Sequence, residues 1–190
     1  MELGQRPSKV IPPYYKDGKV PWVTSGALNE DYVRNATSFV TEKALVETNL
    51  TVYPKHTLLL AMYGEGKTRG KCSELLIDAC TNQAIAAIDF TGFDESLRPY
   101  LKHFLHKNYN DIRTKSSGGV QPNINLGIVK RLKFPLCGKE ERQRVVEEIE
   151  SRLSVCDKLE ESIETSRKQS EALRQSILKQ AFEGKLVPPD

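Results

Sequence analysis

The 190-residue sequence contains no apolar run that approaches the length of about 20 residues needed to span a bilayer. Its first residues do not resemble a secretory signal peptide, so we expect a soluble, cytoplasmic protein. None of its cysteines forms a close pair with the spacing of a zinc site. We expect all four to be buried, reduced thiols: Cys72, Cys80, Cys137 and Cys156.

Candidate catalytic groups are also scarce. The three histidines, His56, His103 and His106, lie in contexts typical of capping, packing or phosphate contact, and none belongs to a credible nucleophile–base pair. No carboxylate cluster with a paired lysine indicates a nuclease. Residues 11–14, IPPY, are similar to an amino-methyltransferase motif, but Ile11 cannot accept a hydrogen bond from a target amine. The sequence therefore predicts no catalytic site, metal site or bound cofactor in this chain.

Residues 61–68, AMYGEGKT, have the spacing of a variant phosphate loop, which would predict an NTPase. Such a loop must open a helix, and a crossover of a dozen or more residues must precede the strand that supplies a magnesium-binding aspartate. Residues 69–71, RGK, interrupt the helix, and the nearest apolar run that ends in an aspartate reaches Asp78 only seven residues later. The sequence disfavours an NTPase and favours a tight, glycine-containing basic loop.

Proline and glycine are absent from residues 139–182, where apolar residues recur at helical spacing. Glu140 and Glu141 lie in the first turn and Lys179 in the last, as the helix dipole favours, and Gly184 can end the helix. These features predict one helix of about 44 residues, roughly 65 Å long at 1.5 Å per residue.

The predicted helix carries an apolar seam with mostly alternating steps of three and four residues, which is typical of a coiled coil with one phase slip. Residues 140–164 carry nine acids and four bases, a net charge of −5, whereas residues 165–190 carry a net charge of +2. Opposite charges would meet in an antiparallel pair, so we predict antiparallel dimerisation. The candidate seam residues are Ile149, Leu153, Cys156, Leu159, Ile163, Leu173 and Ile177.

Residues 1–137 predict one compact α+β domain in which strands dominate, followed by the helical region 138–190. Four strands are expected at 20–23, 57–62, 75–78 and 84–88, and a fifth at 128–135, with a helix at 97–105 and a flexible loop at 116–123. The domain has a net charge of +5, and residues 97–133 contain eight bases and one acid. This segment, with its interleaved aromatic residues, favours contact with a phosphate backbone, although a solvated surface helix remains the alternative.

Two segments of the helix, 141–149 (ERQRVVEEI) and 173–187 (LRQSILKQAFEGKLV), closely resemble the conserved helical region of specificity (S) subunits of type I restriction-modification enzymes. The ending A-F-x-G-K-L-V is the most specific match. Further segments resemble landmarks of an S-subunit target recognition domain: 21–26 (PWVTSG), 62–64 (MYG), 69–71 (RGK), 81–84 (TNQA) and 119–124 (GVQPNI).

The resemblance implies a non-catalytic subunit that recognises one half of a bipartite double-stranded DNA target. Its implied partners are methyltransferase (modification) subunits, which would bring S-adenosylmethionine, and a restriction/motor subunit, which would use ATP and Mg. Full S subunits contain two recognition domains and two conserved helices, whereas this sequence contains one of each. It is therefore either a half-subunit that pairs with itself or a fragment of a longer subunit. A coiled-coil scaffold that binds protein rather than DNA remains the alternative from another class.

Candidate DNA-binding residues follow from donor chemistry beside glycine-rich or turn-prone segments. Ser25, Tyr63, Arg113 and Lys115 are candidates for base contacts. Lys67, Arg69, Lys71 and Ser116 are candidates for phosphate contacts.

Overall fold

The computed structural model describes residues 2–3, 12–64, 66–115 and 123–186. The chain divides into two compact units, Met1–Gln143 and Arg144–Asp190. The first unit therefore includes the first turn of the long helix as well as the predicted recognition domain. None of the helices in the described ranges combines the length and the hydropathy that a membrane span requires.

Five strands of the first unit form one mixed sheet, called sheet one. Its spatial order is β1-β9-β6-β7-β3, and every neighbouring pair is antiparallel except β3 and β7. The strands are β1 (Glu2–Leu3), β3 (Tyr32–Val33), β6 (Leu58–Ala61), β7 (Cys72–Leu75) and β9 (Ile85–Ile88).

Four strands form sheet two, in the order β4-β2-β8-β5. Strands β2 and β8 run parallel, with Trp22 beside Cys80, and the other neighbouring pairs are antiparallel. The strands are β2 (Val20–Val23), β4 (Ser38–Val40), β5 (Val52–Tyr53) and β8 (Ala79–Thr81).

Short α-helices of the first unit cover the outer faces of the two sheets. Two short 3-10 helices, Pro12–Tyr14 and Ser25–Asn29, lie among the strands. The α-helices are α1 (Glu42–Thr48), α2 (Leu97–Lys107), α3 (Tyr109–Lys115), α4 (Leu126–Lys130) and α5 (Lys139–Phe182).

The central strand β6 shows why the first unit is layered. All four of its residues are buried because alternate side chains enter different cores. Leu59 and Ala61 join the core between the two sheets, whereas Leu58 and Leu60 pack with residues of α2, α3 and α4. A third core lies between sheet two and α1. The predicted α+β fold is confirmed, and its layers are helices, sheet one, sheet two and helix.

A buried carboxylate links α2 to sheet one. Glu74 of β7 lies 3.2 Å from Arg98 Nε and 3.9 Å from Lys102 Nζ, and its Oε1 is 2.9 Å from His56 Nδ1. Lys102 Nζ also lies 3.4 Å from the centre of the Tyr32 ring. The buried ammonium of Lys102 is thus compensated by a carboxylate and by an aromatic face.

Two of the predicted strands are wrong. Residues 128–135 do not form a strand, because Leu126–Lys130 is helical and the Asn125 side chain accepts a hydrogen bond from the amide of Ile128 at its start. The three-residue spacing of Leu126, Val129 and Leu132, which pack in one core, is helical.

The second wrong strand is the run at 75–78. Leu75 ends β7, and the next three residues carry the chain from sheet one to sheet two, where β8 begins at Ala79. Asp78 accepts a 2.7 Å hydrogen bond from the amide of Lys55 at this crossover. The other predicted strands at 20–23, 57–62 and 84–88 are confirmed within a residue at each end.

The long helix is confirmed over Lys139–Phe182, with Glu140 and Glu141 in its first turn and Lys179 in its last. Gly184 has a φ of 69°, and the amide of Lys185 donates to the carbonyl of Gln180 at 2.8 Å, which ends the helix as predicted.

The first turn of α5 is held to the first unit by Arg142. Its guanidinium donates to Ser96 Oγ at 3.0 Å and to the Cys137 carbonyl, and lies 3.6 Å from Asp94. These buried contacts explain why the first unit extends to Gln143.

The cysteines are free in this structure, and they differ in exposure. Cys72 and Cys80 are buried as predicted, and burial raises the pKa of their thiols to about 12 and about 11. Cys137 is only partly buried, and Cys156 is exposed in the single chain. The prediction of burial is therefore wrong for Cys156 within one copy, because none of the described residues covers the helix face on which it lies.

Candidate nucleic-acid interface

The candidate interface is the loop that joins β6 to β7, called the β6–β7 loop (residues 62–71). Strand pairing continues into its base, where the amide of Gly70 donates to the Ala61 carbonyl at 2.8 Å and the amide of Ala61 donates to the Lys71 carbonyl at 2.9 Å. Gly66 and Gly70 have φ values of 56° and 88°, in the left-handed region that favours glycine. The glycines therefore allow a tight turn to present the basic residues between them.

Two side chains of α3 hold this loop from one side. Arg113 donates through Nη1 to the Arg69 carbonyl at 2.7 Å and through Nη2 to the Gly66 carbonyl at 2.9 Å. The hydroxyl of Tyr109 donates to the Lys67 carbonyl at 2.6 Å. Three successive points of the loop backbone are thus fixed by charged or phenolic donors, which restricts the loop before any ligand binds.

The absence of a side chain at Gly70 allows α3 to approach the β6–β7 loop closely. A Cβ at that position would lie 3.2 Å from Arg113 Cγ and 3.4 Å from Tyr109 Cδ2. A larger residue would therefore require the Arg113 side chain to shift by a few tenths of an ångström, in addition to the strain of a positive φ.

The 3-10 helix Ser25–Asn29 holds the loop at two further points. The Thr68 hydroxyl donates to Asn29 Oδ1 at 3.1 Å, and Lys71 Nζ donates to the Asn29 carbonyl at 3.1 Å. Ser25, at the other end of this short helix, is partly exposed. The structure thus brings two segments that are distant in sequence, the 3-10 helix and α3, to one basic loop.

The structure brings several of the predicted residues together. Lys67 is exposed at the loop, Arg69 and Lys71 are partly exposed, and Arg113 contacts the loop backbone. Tyr63 is partly buried against the core beneath α2 and α3. The side chain of Lys115, all of Ser116 and most of the predicted loop 116–123 lie outside the described residues. DNA contact by any of these residues stays a prediction.

Sequence reasoning missed two residues of this region. Tyr109 was notable only as one aromatic residue in a basic segment, and Asn29 carried no signal, because its role depends on contacts with residues about 40 positions away. Arg113 was selected for its charge, but in the structure its guanidinium donates to two loop carbonyls. It acts here as a positioning residue for the loop.

The described part of the loop also lacks the arrangement of a phosphate loop. Residues 66–67 and 69–70 form turns, and the chain then enters β7, which is antiparallel to β6. A phosphate loop instead opens a helix whose N-terminus binds the phosphates.

Comparison with known proteins identifies the family. Residues 2–171 match the model of the type I restriction modification DNA specificity domain. The specificity subunit of the type I restriction enzyme EcoR124I/EcoR124II from Escherichia coli is 24% identical over 178 residues, which are 90% of this chain and 44% of that protein. The MjaIX specificity subunit from Methanocaldococcus jannaschii is 27% identical over 92% of this chain and 39% of its own length.

Two solved structures share the fold. A chain from a study of complex assembly and conformational transition of the type I R-M system has a TM-score of 0.75 at 19% identity, over 97% of this chain and 43% of that one. The HsdS subunit from Thermoanaerobacter tengcongensis has a TM-score of 0.64 at 20% identity, over 97% of this chain and 42% of its own. The chain thus spans less than half the length of these relatives. Because the family model covers most of its residues, the chain belongs to the type I restriction modification DNA specificity domain family.

Proposed function

We propose that the first unit binds double-stranded DNA and recognises one half of a bipartite target, as a specificity subunit of a type I restriction-modification system. The β6–β7 loop is the observation that carries this proposal. Its exposed Lys67 is available to a phosphate, while Arg113 and Tyr109 fix the backbone on which Lys67 stands. A fixed loop loses little conformational entropy on binding, and a lysine supplies the charge that a phosphate requires.

The charge of the unit supports the same proposal. Residues 1–137 have a net charge of +5, whereas the remaining residues have a net charge of −2. A positively charged surface attracts DNA over a distance of several ångströms and makes the affinity dependent on salt. Base contacts then supply the specificity, and we assign them to Ser25, Tyr63 and Lys115 within or near this region.

In this proposal the long helix joins two recognition units and offers a surface to other subunits. The modification subunits would bind S-adenosylmethionine and transfer the methyl group to adenine, and the restriction subunit would use ATP and Mg. The helix pairs with a second copy, which makes the assembly twofold symmetric and its DNA target an interrupted palindrome. Neither chemistry requires a catalytic residue of this chain.

A salt series tests the DNA contact. Anisotropy of a labelled duplex pool with a random central sequence would be measured with wild type, Lys67→Ala, Arg69→Ala and the control Lys43→Ala between 50 and 300 mM salt. Lys43 is an exposed lysine of α1, which covers sheet two and not the β6–β7 loop. We expect Lys67→Ala to lower the affinity and to reduce the slope of log K against log salt by about 0.9, the value for one phosphate contact.

The alternatives give different results in the same experiment. A coiled-coil scaffold would dimerise and show no salt-sensitive affinity for DNA. Equal slopes for Lys67→Ala and Lys43→Ala would remove the β6–β7 loop from the interface. Selection of bound duplexes from the same pool would test specificity, since the proposal predicts enrichment of an interrupted palindrome and a non-specific binder enriches none.

A further inference from the structure

A cavity beside the β6–β7 loop is lined by residues of that loop, of the 3-10 helix Ser25–Asn29, of α2 and of α3. The exposed Asp31, just before β3, also lines it, and we call it the Asp31 cavity. Its volume of about 190 Å³ is below the range of roughly 300–1,000 Å³ for sites that enclose a whole small ligand. The Asp31 cavity therefore has room for the edge of a larger molecule that stays outside.

The walls of the Asp31 cavity are held in place by the fold. Three of the residues that line it are buried: Leu28, Gly70 and Cys72. The Nε2 atom of His106 lies 3.1 Å from the Cys72 carbonyl oxygen, and because a carbonyl can only accept, this nitrogen donates. The hydroxyl of Tyr109, on the same side, donates to the loop backbone at 2.6 Å. The cavity is thus formed before any ligand binds, which reduces the entropy lost on binding.

Two side chains of opposite charge, those of Asp31 and Lys71, line the same cavity. Lys71 Nζ donates to the Asn29 carbonyl at 3.1 Å, and because an ammonium carries three N–H donors, this bond leaves donors for a ligand. The carbonyl of Asp31 accepts a hydrogen bond from the amide of Glu74 at 3.1 Å, which fixes the chain at the start of β3. The cavity therefore offers an acceptor and a donor, both on a fixed backbone.

The negative charge of Asp31 opposes a purely phosphate-binding role for this surface. A carboxylate beside the basic loop repels the DNA backbone and lowers the non-specific part of the affinity. Burial is the main cause of the raised pKa of the Cys72 thiol, and the Asp31 carboxylate adds to it, so this charge acts within the cavity. A carboxylate instead matches a hydrogen-bond donor. On base-pair edges in the major groove, the donors are the amino groups of cytosine and adenine.

The pair of charges favours cytosine over adenine. Adenine presents the acceptor N7 beside its amino group, so a carboxylate there meets an acceptor as well as a donor. Cytosine presents its amino group without such an acceptor, and the guanine paired with it presents the acceptors O6 and N7. These two acceptors match the ammonium of Lys71, whereas the thymine opposite adenine presents one acceptor and a methyl group. A C·G pair therefore matches both Asp31 and Lys71.

We propose that Asp31 is a specificity-determining residue, whose carboxylate accepts a hydrogen bond from the N4 amino group of a cytosine in the major groove. In the same contact, Lys71 donates to the guanine paired with that cytosine. This assignment rests on the proposed function, in which the surface beside the β6–β7 loop binds DNA, and it adds the base that is read there. It also moves Lys71 from the phosphate contacts to the base contacts.

Selection of bases tests the assignment, with the full chain and the random duplex pool of the salt series. Wild type, Asp31→Asn, Asp31→Ala and the control Glu30→Gln each select bound duplexes, which are then sequenced. An asparagine amide can accept from N6 and donate to N7 of adenine, which a carboxylate cannot do. We expect wild type to prefer cytosine at one position by about tenfold, Asp31→Asn to prefer adenine there, and Asp31→Ala to show no preference there.

The control removes the same charge from the neighbouring residue. Glu30 is exposed, and the described residues that line the Asp31 cavity do not include it. Glu30→Gln and Asp31→Asn both reduce the repulsion of phosphates, so we expect both to raise the affinity for non-specific duplex to a similar extent. Only Asp31→Asn should change the selected base. A purely structural role of Asp31 would lower the unfolding midpoint without changing the base, and that result would contradict the assignment.

The remaining outcomes separate this assignment from the proposed function. If both Asp31 variants select the same site as wild type, the assignment is wrong and DNA recognition by this unit still stands. If wild type prefers guanine, thymine or adenine at the position that Asp31→Asn changes, the N4 amino group of cytosine is not the ligand of Asp31. If wild type binds no duplex, or enriches no sequence, the proposed function itself fails and the assignment fails with it.

Discussion

The guanidinium of Arg113 lies 5.1 Å from the centre of the Tyr109 ring, one helical turn earlier on α3. The two side chains that hold the β6–β7 loop therefore also contact each other through a cation–π interaction. Each limits the rotamers of the other, so we expect them to act as a unit. Removal of either side chain will loosen the contacts of both.

Arg113→Ala removes two hydrogen bonds to loop carbonyls. We expect the free energy of unfolding to fall by about 1–3 kcal/mol, and DNA affinity to fall about tenfold because the loop loses its fixed backbone. Urea unfolding followed by the fluorescence of Trp22, the single tryptophan, measures the first effect. The control is Arg131→Ala, which removes an equal charge and a 2.9 Å bond to the Gly127 carbonyl on α4. Similar losses of affinity in both variants would show that charge alone is responsible.

Comparison of Gly70→Ala with Gly66→Ala separates the cost of backbone strain from the cost of a disturbed contact with α3. Both glycines have a positive φ, so both substitutions cost about 1 kcal/mol in backbone energy. A Cβ at Gly70 meets Arg113 and Tyr109, whereas a Cβ at Gly66 has no atom of the described residues within 4 Å. We expect the greater loss of stability and of DNA affinity for Gly70→Ala. Calorimetry and anisotropy would check this difference, and equal effects would contradict the contact with α3.

Glu74→Gln leaves the buried Lys102 ammonium without its carboxylate. We expect a loss of about 3–5 kcal/mol in the free energy of unfolding, as is typical when one partner of a buried ion pair is removed. The control is Glu148→Gln on the exposed face of α5, where the pair with Arg152 contributes at most about 1 kcal/mol. Urea titration of both variants measures the difference. A stable Glu74→Gln variant would show that Tyr32 alone compensates Lys102.

We expect the Asp94 carboxyl to make part of the folding stability sensitive to acid. Hydrogen bonds from the hydroxyl and the amide of Ser96, with smaller contributions from Lys139 and Arg142, hold the pKa of this carboxyl below its ordinary value of 3.8. A depressed pKa stabilises the folded state above pH 3.8, and this stability is lost as the pH falls through the folded pKa. Asp94→Asn should therefore be less stable than wild type at pH 6, and the difference should shrink below pH 4. Parallel curves of unfolding midpoint against pH would contradict this assignment.

Much of the fold follows from local signals. The long helix was predictable because several signals indicate the same element of 44 residues. These signals are the charges in its first and last turns, the glycine that follows it and the absence of proline within it. Strand β9 was predictable because a short apolar run between polar turns is typical of a buried strand. The run ending in Asp78 misled the prediction because Leu76 and Ile77 of the crossover between the two sheets are also apolar, although they are only partly buried.

The candidate site was only partly predictable. Glycines and lysines located the β6–β7 loop, because turn chemistry and charge are local properties of the sequence. The contact between Gly66 and Arg113 joins residues 47 positions apart, and it depends on how α3 packs on sheet one. Likewise, no local pattern shows that Glu74, an acid inside a strand, would meet three basic side chains.

The hydrogen bonds from α3 to the β6–β7 loop end on main-chain carbonyls, those of Gly66, Lys67 and Arg69. Every amino acid has the same carbonyl, so a mutation at Lys67 or Arg69 changes the side chain presented to the ligand and leaves these bonds in place. The fold therefore separates the part of the loop that evolution can vary from the part that it must keep. Under the proposed function, phosphate contacts can be gained or lost here by single substitutions, without a compensating change elsewhere in the protein.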